Sequence, residues 1–168
     1  MQVIHSYQNI LWLPQPNKIS EVLTAKLPPI QQITTVFGLV MDKNYVLVAH
    51  LYRGWDLPGG HIEKGENVLE TLQREIWEET KVTIKQPRLI GYQKIEVYAE
   101  KPDNYRYPYP ESYQVHYMAE AEEIGEFTAD EETKGRDFIT YERARQLPNL
   151  QHALGFLRYA MRKEDSTF

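Results

Sequence analysis

Three glutamates at helical spacing, Glu75, Glu78 and Glu79, are the residues of this chain best suited to do chemistry. They lie in a run, residues 66–80, in which apolar residues recur every fourth position and predict an amphipathic helix. On such a helix the three carboxylates fall within about 100° of one face. Like charges at this spacing repel, and a divalent cation would remove that repulsion. Carboxylate oxygens are ligands that suit Mg²⁺ or Mn²⁺.

A solvated acidic face is the alternative interpretation, with Arg74 paired to Glu78 one turn later. The residues upstream favour the metal site. A glycine-rich segment, residues 53–65, contains Pro58, Gly59 and Gly60 and leads from a predicted strand into this helix. Because glycine has no side chain, such a loop lets the backbone approach a ligand or metal closely.

Strands and helices that could position this segment interleave along the chain, so we predict an α/β or α+β fold. A hairpin is predicted over residues 32–41 and 45–51, and a loop over residues 101–112. Further strands are predicted at 82–84, 89–98, 113–121 and 138–140. They are followed by a predicted helical turn at 141–146 and a C-terminal helix at 153–163. That last helix is expected to turn Leu154, Leu157 and Met161 inward. Near the start, we predict a strand at 7–13 and a helix at 21–26.

Composition narrows the class of protein. With 168 residues, we expect one domain spanning 1–168. The net charge of −5 argues against partners that are nucleic acid polymers or anionic membranes. No apolar run approaches the ~20 residues of a membrane span, and no secretory signal is evident. We therefore expect a cytoplasmic protein. There is no cysteine, which excludes disulfides, a cysteine nucleophile and cysteine metal ligands.

Residues 60–82, GHIEKGENVLETLQREIWEETKV, resemble the Nudix box, G-x5-E-x7-R-E-U-x-E-E-x-G-U, in which U is a bulky aliphatic residue. The matching positions are Gly60, Glu66, Arg74, Glu75, Ile76, Glu78, Glu79 and Val82. Lys81 stands where the box has its last glycine, which normally ends the helix in a left-handed conformation; there a lysine costs roughly 1 kcal/mol. The resemblance implies a Nudix fold: a mixed β-sheet sandwiched between helices, with a loop-helix-loop catalytic box and, at about residues 1–30, an N-terminal extension.

The resemblance also implies a set of metal ligands for Mg²⁺ or Mn²⁺, which comprises Glu75, Glu78 and Glu79 with the backbone carbonyl of Gly59 or Gly60. Arg74 is expected to orient a glutamate rather than to contact substrate. Two interpretations fit Glu66: it holds the box together or reaches a metal through water, or it is a first-turn carboxylate that the helix dipole favours. His61 is expected to be structural.

The implied reaction is attack of water on a phosphorus atom of a diphosphate that is linked to another group. A carboxylate of the box or a metal-bound hydroxide would take the proton. In this family the base also occurs in a later loop, which makes Glu131 and Glu132 candidates. A plain acidic surface turn explains these two residues equally well.

Substrate contacts are expected outside the box. Arg53 and Trp55 could meet a phosphate and a flat base, respectively. The tyrosines of the 101–112 loop, with Tyr109 among them, either stack on a nucleobase or pack as a rigid lid. The expected substrate is a small nucleoside diphosphate derivative, and no second signature selects among oxidised nucleoside triphosphates, sugar nucleotides, dinucleoside polyphosphates and small diphosphates.

Two other functions compete with hydrolysis. A catalytically silent, Nudix-like module that binds a nucleotide would be expected to lose metal carboxylates, and all three are present here. An isoprenoid diphosphate isomerase on the same fold would need a cysteine, which this chain lacks. Nudix proteins often dimerise, so a homodimer is compatible with the resemblance, but no exposed apolar stripe in the sequence indicates one.

Replacing Glu78 by glutamine tests the metal assignment, since it keeps the size of the side chain and removes its charge. We expect Glu78→Gln to lower the rate of diphosphate hydrolysis by orders of magnitude and to leave the fold intact, with slightly higher stability when no metal is present. The assay is phosphate or mononucleotide release beside a thermal melt. An unchanged rate would contradict the metal role of this residue.

Overall fold

Nine strands and three α-helices make up the described part of the chain, which in this computed structural model is residues 1–165, with only the backbone described for residues 163–165. The strands are β1 Gln2–Gln8, β2 Asn17–Leu23, β3 Ile33–Asp42, β4 Tyr45–Leu51, β5 Gly54–Asp56, β6 Gly59–His61, β7 Val82–Val97, β8 Glu111–Ile124 and β9 Thr133–Ile139. The helices are α1 Val68–Thr80, α2 Tyr141–Ala144 and α3 Leu154–Asp165, with 3-10 turns at Ile30–Gln32 and Pro148–Ala153.

All the described strands belong to one mixed sheet. Its order is β1-β2-β7-β8-β3-β4-β5, with β6 also paired to β3 and β9 to β4. Strands β3 and β8 are parallel, and the other pairs are antiparallel. The predicted α+β class with a mixed sheet is confirmed.

The two faces of this sheet are covered by different helices, because side chains alternate along each strand. On β3, Val36 packs with Leu72 of α1, whereas Leu39 packs with Phe156 of α3. Both core clusters are almost free of solvent, with Val36, Leu39, Leu72 and Phe156 each 0% exposed. The sheet is therefore sandwiched between helices, as the sequence predicted.

The first thirty residues differ from the sequence prediction. The strand predicted at 7–13 is wrong beyond Gln8, because β1 spans Gln2–Gln8 and residues 9–13 form no strand. The helix predicted at 21–26 is also wrong, because residues 21–23 belong to strand β2. β2 pairs with β1 on one side and β7 on the other, and it buries Ile19 and Val22. Pairing with strands distant in sequence and burial on the sheet override the local helical signal here. The predicted N-terminal extension thus adds two strands to the sheet.

Two further boundaries differ. The strands predicted at 82–84 and 89–98 are one strand, β7, whose register with β8 shifts between Lys85 and Arg88. Gln86 has φ 53° at this point, which is typical of a β-bulge. On α3, Leu157 is fully buried as predicted, but Leu154 and Met161 are only half-buried, and Phe156 and Ala160 are buried instead. The buried stripe is set by contact of Phe156 with the sheet.

Helix α1 has defined ends. Asn67 caps its start, where the side chain accepts from Glu70 N while the Glu70 carboxylate accepts from Asn67 N, each at 2.9 Å. Lys81 ends the helix at φ 58° and ψ 33°, with its N–H donating to Trp77 O. A lysine therefore adopts the left-handed conformation for which the box normally uses glycine, and its Nζ donates to Glu78 O at 3.3 Å. No helix within residues 1–165 is long and apolar enough to cross a membrane.

A buried acid on β2 makes stability depend on pH. The Glu21 residue is 2% exposed, and burial raises its pKa from the usual 4.5 to about 7, although Tyr7 Oη donates to it at 3.5 Å. Between these pKa values the folded chain keeps a proton that the unfolded chain has lost. Stability contributed by this proton is present below about pH 4.5 and is lost as pH rises to about 7.

We therefore expect Glu21→Gln to raise the free energy of unfolding at pH 8 by about 2 kcal/mol and to change it much less at pH 5. Urea unfolding at the two pH values measures this difference. Glu122→Gln, which makes the same change at an exposed position on β8, should give no such difference. An equal gain for Glu21→Gln at both pH values would contradict the account.

Candidate active site

Two glycines place the backbone of β6 against the acidic face of α1. β6 pairs with β3, where Gly59 lies opposite Phe37 and Gly60 opposite Val36. A Cβ at residue 59 would lie 2.8 Å from Phe37 Cδ1, and one at residue 60 would lie 2.5 Å from the carboxyl carbon of Glu75. Residue 59 therefore requires glycine, because its Cβ would also overlap the β3 backbone, whereas a Cβ at residue 60 would force the Glu75 carboxylate to move.

Glu75 and Glu79 bring two carboxylates into this partly buried corner. The Gly59 N–H donates to Glu79 Oε2 at 3.1 Å. Burial, with a smaller contribution from the negative charges of Glu75 and Asp56, raises the pKa of Glu79 to about 8 despite that hydrogen bond. Burial likewise raises the pKa of Glu75, with the charge of Glu78 adding to the effect. The chain thus folds with acidic groups where ionisation is costly.

Arg74 connects the glutamates of this segment. Its Nη1 donates to Glu75 Oε1 at 2.9 Å and to Glu78 Oε2 at 3.1 Å, and its Nη2 donates to Glu66 Oε2 at 3.0 Å. Thr71 Oγ1 also donates to Glu66, and these hydrogen bonds lower the pKa of Glu66 to about 2. Arg74 and Glu66 therefore tie the loop before the helix to the middle of α1.

The three helix glutamates are not equivalent. The side chain of Glu75 is 16% exposed and that of Glu78 is 56% exposed. Glu79 is half-buried beneath the β6 backbone. The arrangement therefore has two sheltered carboxylates and one that faces solvent.

The donor set fits a hard divalent cation by its chemistry. Oxygen donors dominate the corner, and both sheltered carboxylates have raised pKa values that a nearby positive charge would lower. Among the residues described, no three acidic or histidine side chains are already grouped as a cation cage. Glu75, Glu79 and the glycine backbone could hold the metal from the sheltered side, and Glu78 could reach it from the solvent side.

Asp56, at the end of β5, is a site residue that sequence analysis missed. It accepts from Leu57 N at 2.7 Å and from Arg53 Nε at 2.8 Å, and burial raises its pKa. Its charge acts on Glu79, so it belongs to the same electrostatic cluster. The only sequence signal for Asp56 is its position just before the Leu-Pro-Gly-Gly run. No second residue at a fixed spacing from Asp56 forms a motif with it.

The predicted substrate contacts Arg53 and Trp55 are engaged within the protein. Arg53 pairs with Asp56, and Trp55 stacks on His50 with ring centroids 4.8 Å apart. Asn149 Nδ2 donates to the carbonyl oxygens of both Arg53 and Trp55, at 2.8 and 3.2 Å. These contacts fix β5 to β4 and to the 3-10 turn at Pro148–Ala153.

Tyr109 lies in the loop before β8, where its hydroxyl donates to Ala99 O. Its ring meets that of Tyr105 edge-on at 6.2 Å. The neighbouring Tyr107 stacks over His61 of β6 at 6.3 Å. The tyrosine loop therefore rests on the glycine strand, and Tyr109 is tied within that loop.

The two candidate bases of the later loop, Glu131 and Glu132, are exposed. Their turn is closed by the Asp130 carboxylate, which accepts from the N–H groups of Glu132 and Thr133 at 2.9 and 2.7 Å. The charge of Lys81 contributes to lowering the pKa of Asp130. The turn thus lies near the C-terminal end of α1. Within the described residues, no hydrogen bond or ion pair joins the side chain of either glutamate to a residue of the box.

Comparisons with known proteins agree with this architecture. The sequence profile of the NUDIX domain matches residues 31–159. Among solved structures, a mutant form of the Bacillus subtilis pyrophosphohydrolase BsRppH superposes with a TM-score of 0.70 at 19% identity, over 98% of this chain and 99% of that one. The MutT protein of Bacillus halodurans gives 0.56 at 25% identity, over 76% of this chain and 80% of that one.

An ADP-ribose pyrophosphatase of Streptococcus suis gives a TM-score of 0.57 at 17% identity, over 81% of this chain and 93% of that one. No curated protein sequence matches this chain. With most of its length matched by the profile, the chain belongs to the NUDIX family. It is a Nudix hydrolase, an enzyme of the class that cleaves pyrophosphate bonds.

Adding one methyl group at residue 60 tests whether the close approach of β6 to α1 matters. We expect Gly60→Ala to reduce the hydrolysis rate by about tenfold or more, because the new Cβ would overlap the Glu75 carboxylate and displace it. Rates are measured beside circular dichroism and a thermal melt, which verify the fold. A folded variant with the original rate would show that the position of Glu75 is unimportant.

Proposed function

We propose that this enzyme hydrolyses the pyrophosphate bond of a nucleoside diphosphate linked to another group, with Mg²⁺ or Mn²⁺ as its cofactor. One observation carries the proposal: two sheltered carboxylates with raised pKa values, Glu75 and Glu79, lie against the glycine backbone of β6. The name of the Streptococcus suis protein, an ADP-ribose pyrophosphatase, supports a nucleotide derivative as substrate.

Glu75 and Glu79 would hold the cation, with Glu78 as the third carboxylate and the carbonyl of Gly59 or Gly60 as a backbone ligand. When bound, the cation would neutralise charge on the diphosphate oxygens. Arg74 holds Glu75 and Glu78 through hydrogen bonds of 2.9 and 3.1 Å. Such positioning limits the reorganisation needed when substrate binds.

Arg53 is proposed to contact a substrate phosphate, because its guanidinium already lies next to the acidic cluster through Asp56. Glu131 and Glu132 are proposed as the general base, on the exposed turn near the C-terminal end of α1. Trp55 and Tyr109 stay predictions as substrate contacts. A cytoplasmic location and a homodimer also stay predictions.

The test is a panel assay of hydrolysis with nucleoside triphosphates, ADP-ribose, other sugar nucleotides and dinucleoside polyphosphates. Each substrate is incubated with Mg²⁺, with Mn²⁺ and with a chelator, using the unmodified chain, Glu79→Gln and Glu120→Gln. Glu120 is an exposed carboxylate opposite Met41 near the end of β3, whereas Gly59 pairs with Phe37 in the middle of that strand, and Glu120 serves as the matched control.

We expect metal-dependent turnover of at least one substrate class, a loss of about 100-fold or more in Glu79→Gln, and normal turnover in Glu120→Gln. Equal rates in Glu79→Gln and the unmodified chain would contradict the assignment of the site. A silent panel, with nucleotides still raising the melting temperature, would replace the enzyme proposal by that of a nucleotide-binding module.

A further inference from the structure

A cavity of about 150 Å³ opens on the side of the sheet that faces α3, next to the candidate active site. Residues from the sheet and from the segment before α3 line it, and those that matter here are Phe37, Asp56, Gln93, Gln114, His116 and Asn149. Asp56 is shared with the acidic cluster, since its charge acts on Glu79. The hydrolase mechanism proposed above makes no use of the other five.

His116 is the unusual member of this lining. It is 2% exposed, and its ring lies between those of Phe37 and Phe156, at centroid distances of 5.3 and 4.4 Å. Burial lowers the pKa of His116 to about 3, against an opposing contribution from the backbone of Gln114, so the ring is neutral at physiological pH. Its Nδ1 is buried without a hydrogen-bond partner among the described residues. Because this nitrogen is closed off from solvent, a ligand can pair with it only when the neighbouring side chains move apart, and that pairing would then remove the cost of an unpaired buried polar atom.

Two amides stand near this ring in the lining. Gln114 precedes His116 by two residues on β8, so both side chains belong to the same face of the strand. The amide of Gln114 makes no hydrogen bond in the described part of the chain. Asn149 uses its Nδ2 to bind two carbonyl oxygens of the β5 region, which leaves Oδ1 as an acceptor. Gln93 is different, because its Nε2 donates to His152 O at 2.7 Å.

Asp56 and Phe37 link the cavity to the catalytic corner. Phe37, which stacks on His116, lies opposite Gly59 in the β3–β6 pair, and Gly59 N donates to Glu79. A ligand with its diphosphate at the acidic corner could therefore extend one flat group into the cavity. A volume near 150 Å³ is that of an engineered cavity able to hold one benzene ring, so a single small ring system is the right scale.

The charges of the side chains that line the cavity indicate which kind of ring it would bind. No lysine or arginine lines the cavity, and Asp56 is the one formally charged residue in the lining. A phosphate or other anion would meet the Asp56 carboxylate there, and His152 is the one side chain in the lining that can carry a positive charge. An isoprenoid chain would leave the amides and the imidazole unpaired. An uncharged heterocycle with hydrogen-bond donors and acceptors on its edge fits this lining.

We propose that this cavity is the subsite for the heterocyclic base of the substrate, and that Gln114 and His116 hydrogen-bond to the polar edge of that base. The inference rests on the proposed hydrolysis of nucleoside diphosphate derivatives and deepens it, because it assigns base recognition to β8 rather than to Trp55 or the tyrosine loop.

Calorimetric titration with free adenosine, guanosine, cytidine and uridine, up to millimolar concentrations and without metal, tests the subsite apart from hydrolysis. His116→Phe preserves the ring stack and removes both ring nitrogens, and Gln114→Met removes the amide at a half-buried position. Tyr117→Phe is the matched control, because Tyr117 lies on the same strand but packs in the core cluster on the α1 side.

We expect at least one nucleoside to bind the unmodified chain, with an affinity about tenfold lower or worse in His116→Phe and in Gln114→Met and unchanged in Tyr117→Phe. The melting temperature of His116→Phe should equal or exceed that of the unmodified chain, because an unpaired buried nitrogen is removed. If His116→Phe does not fold, Gln114→Met decides the question on its own.

Three results would overturn the subsite: no nucleoside binding, binding that neither variant changes, or binding that is lost in Tyr107→Ala instead. The last result would place the base in the tyrosine loop. Nucleoside binding that follows this pattern without hydrolysis of any diphosphate would contradict the proposed function and leave the subsite standing. Hydrolysis with equal efficiency for all bases and for a base-free ribose diphosphate would overturn the subsite alone.

Discussion

The constraint on which the site depends is the close approach of the β6 backbone to two carboxylates that are partly withdrawn from water. The Gly59 N–H reaches Glu79 at 3.1 Å, and a Cβ at residue 60 would overlap the Glu75 carboxylate where it now lies. Burial raises the pKa of both acids, and a few hydrogen bonds only partly offset that effect. Ionising both acids there is costly, and the proposed cation would offset that cost.

The rest of the fold keeps this corner in place. Strand β3 lies in the middle of the sheet, pairs with the glycine strand and packs against α1 through Val36 and Leu72. The capping box at Asn67 fixes where α1 begins, and Lys81 ends it in a left-handed conformation despite its side chain. Arg74 then links the helix to the loop through Glu66. The acidic side chains are thereby held by rigid elements rather than by flexible loops.

The parts of this architecture that sequence could predict are those with local, periodic or fixed-spacing signals. The helix carrying Glu75 and Glu79 has a regular apolar stripe. The glycines of residues 53–65 indicate a close backbone approach, but the loop predicted there is wrong in part, because the segment contains the short strands β5 and β6. The hairpin of β3 and β4 has β-branched runs on either side of a turn. Each of these signals comes from residues near one another in the sequence.

The features that sequence missed depend on contacts between distant residues. Glu21 follows a serine, a local helix-start signal, yet β2 forms because it pairs with β7, more than seventy residues later. Asp56 gains its importance only from the charge of Glu79. His116 looks like any polar residue in an alternating strand, and its isolation from water arises because Phe37 and Phe156 meet it from different elements.

The most direct test of this account is the binding of Mn²⁺ in the absence of substrate, followed by electron paramagnetic resonance in the unmodified chain, Glu79→Gln and Glu120→Gln. The account predicts saturable Mn²⁺ binding that Glu79→Gln weakens by about tenfold or more and that Glu120→Gln leaves unchanged. Equal Mn²⁺ affinity in all three proteins would contradict the claim that the sheltered carboxylates of α1 form the metal site.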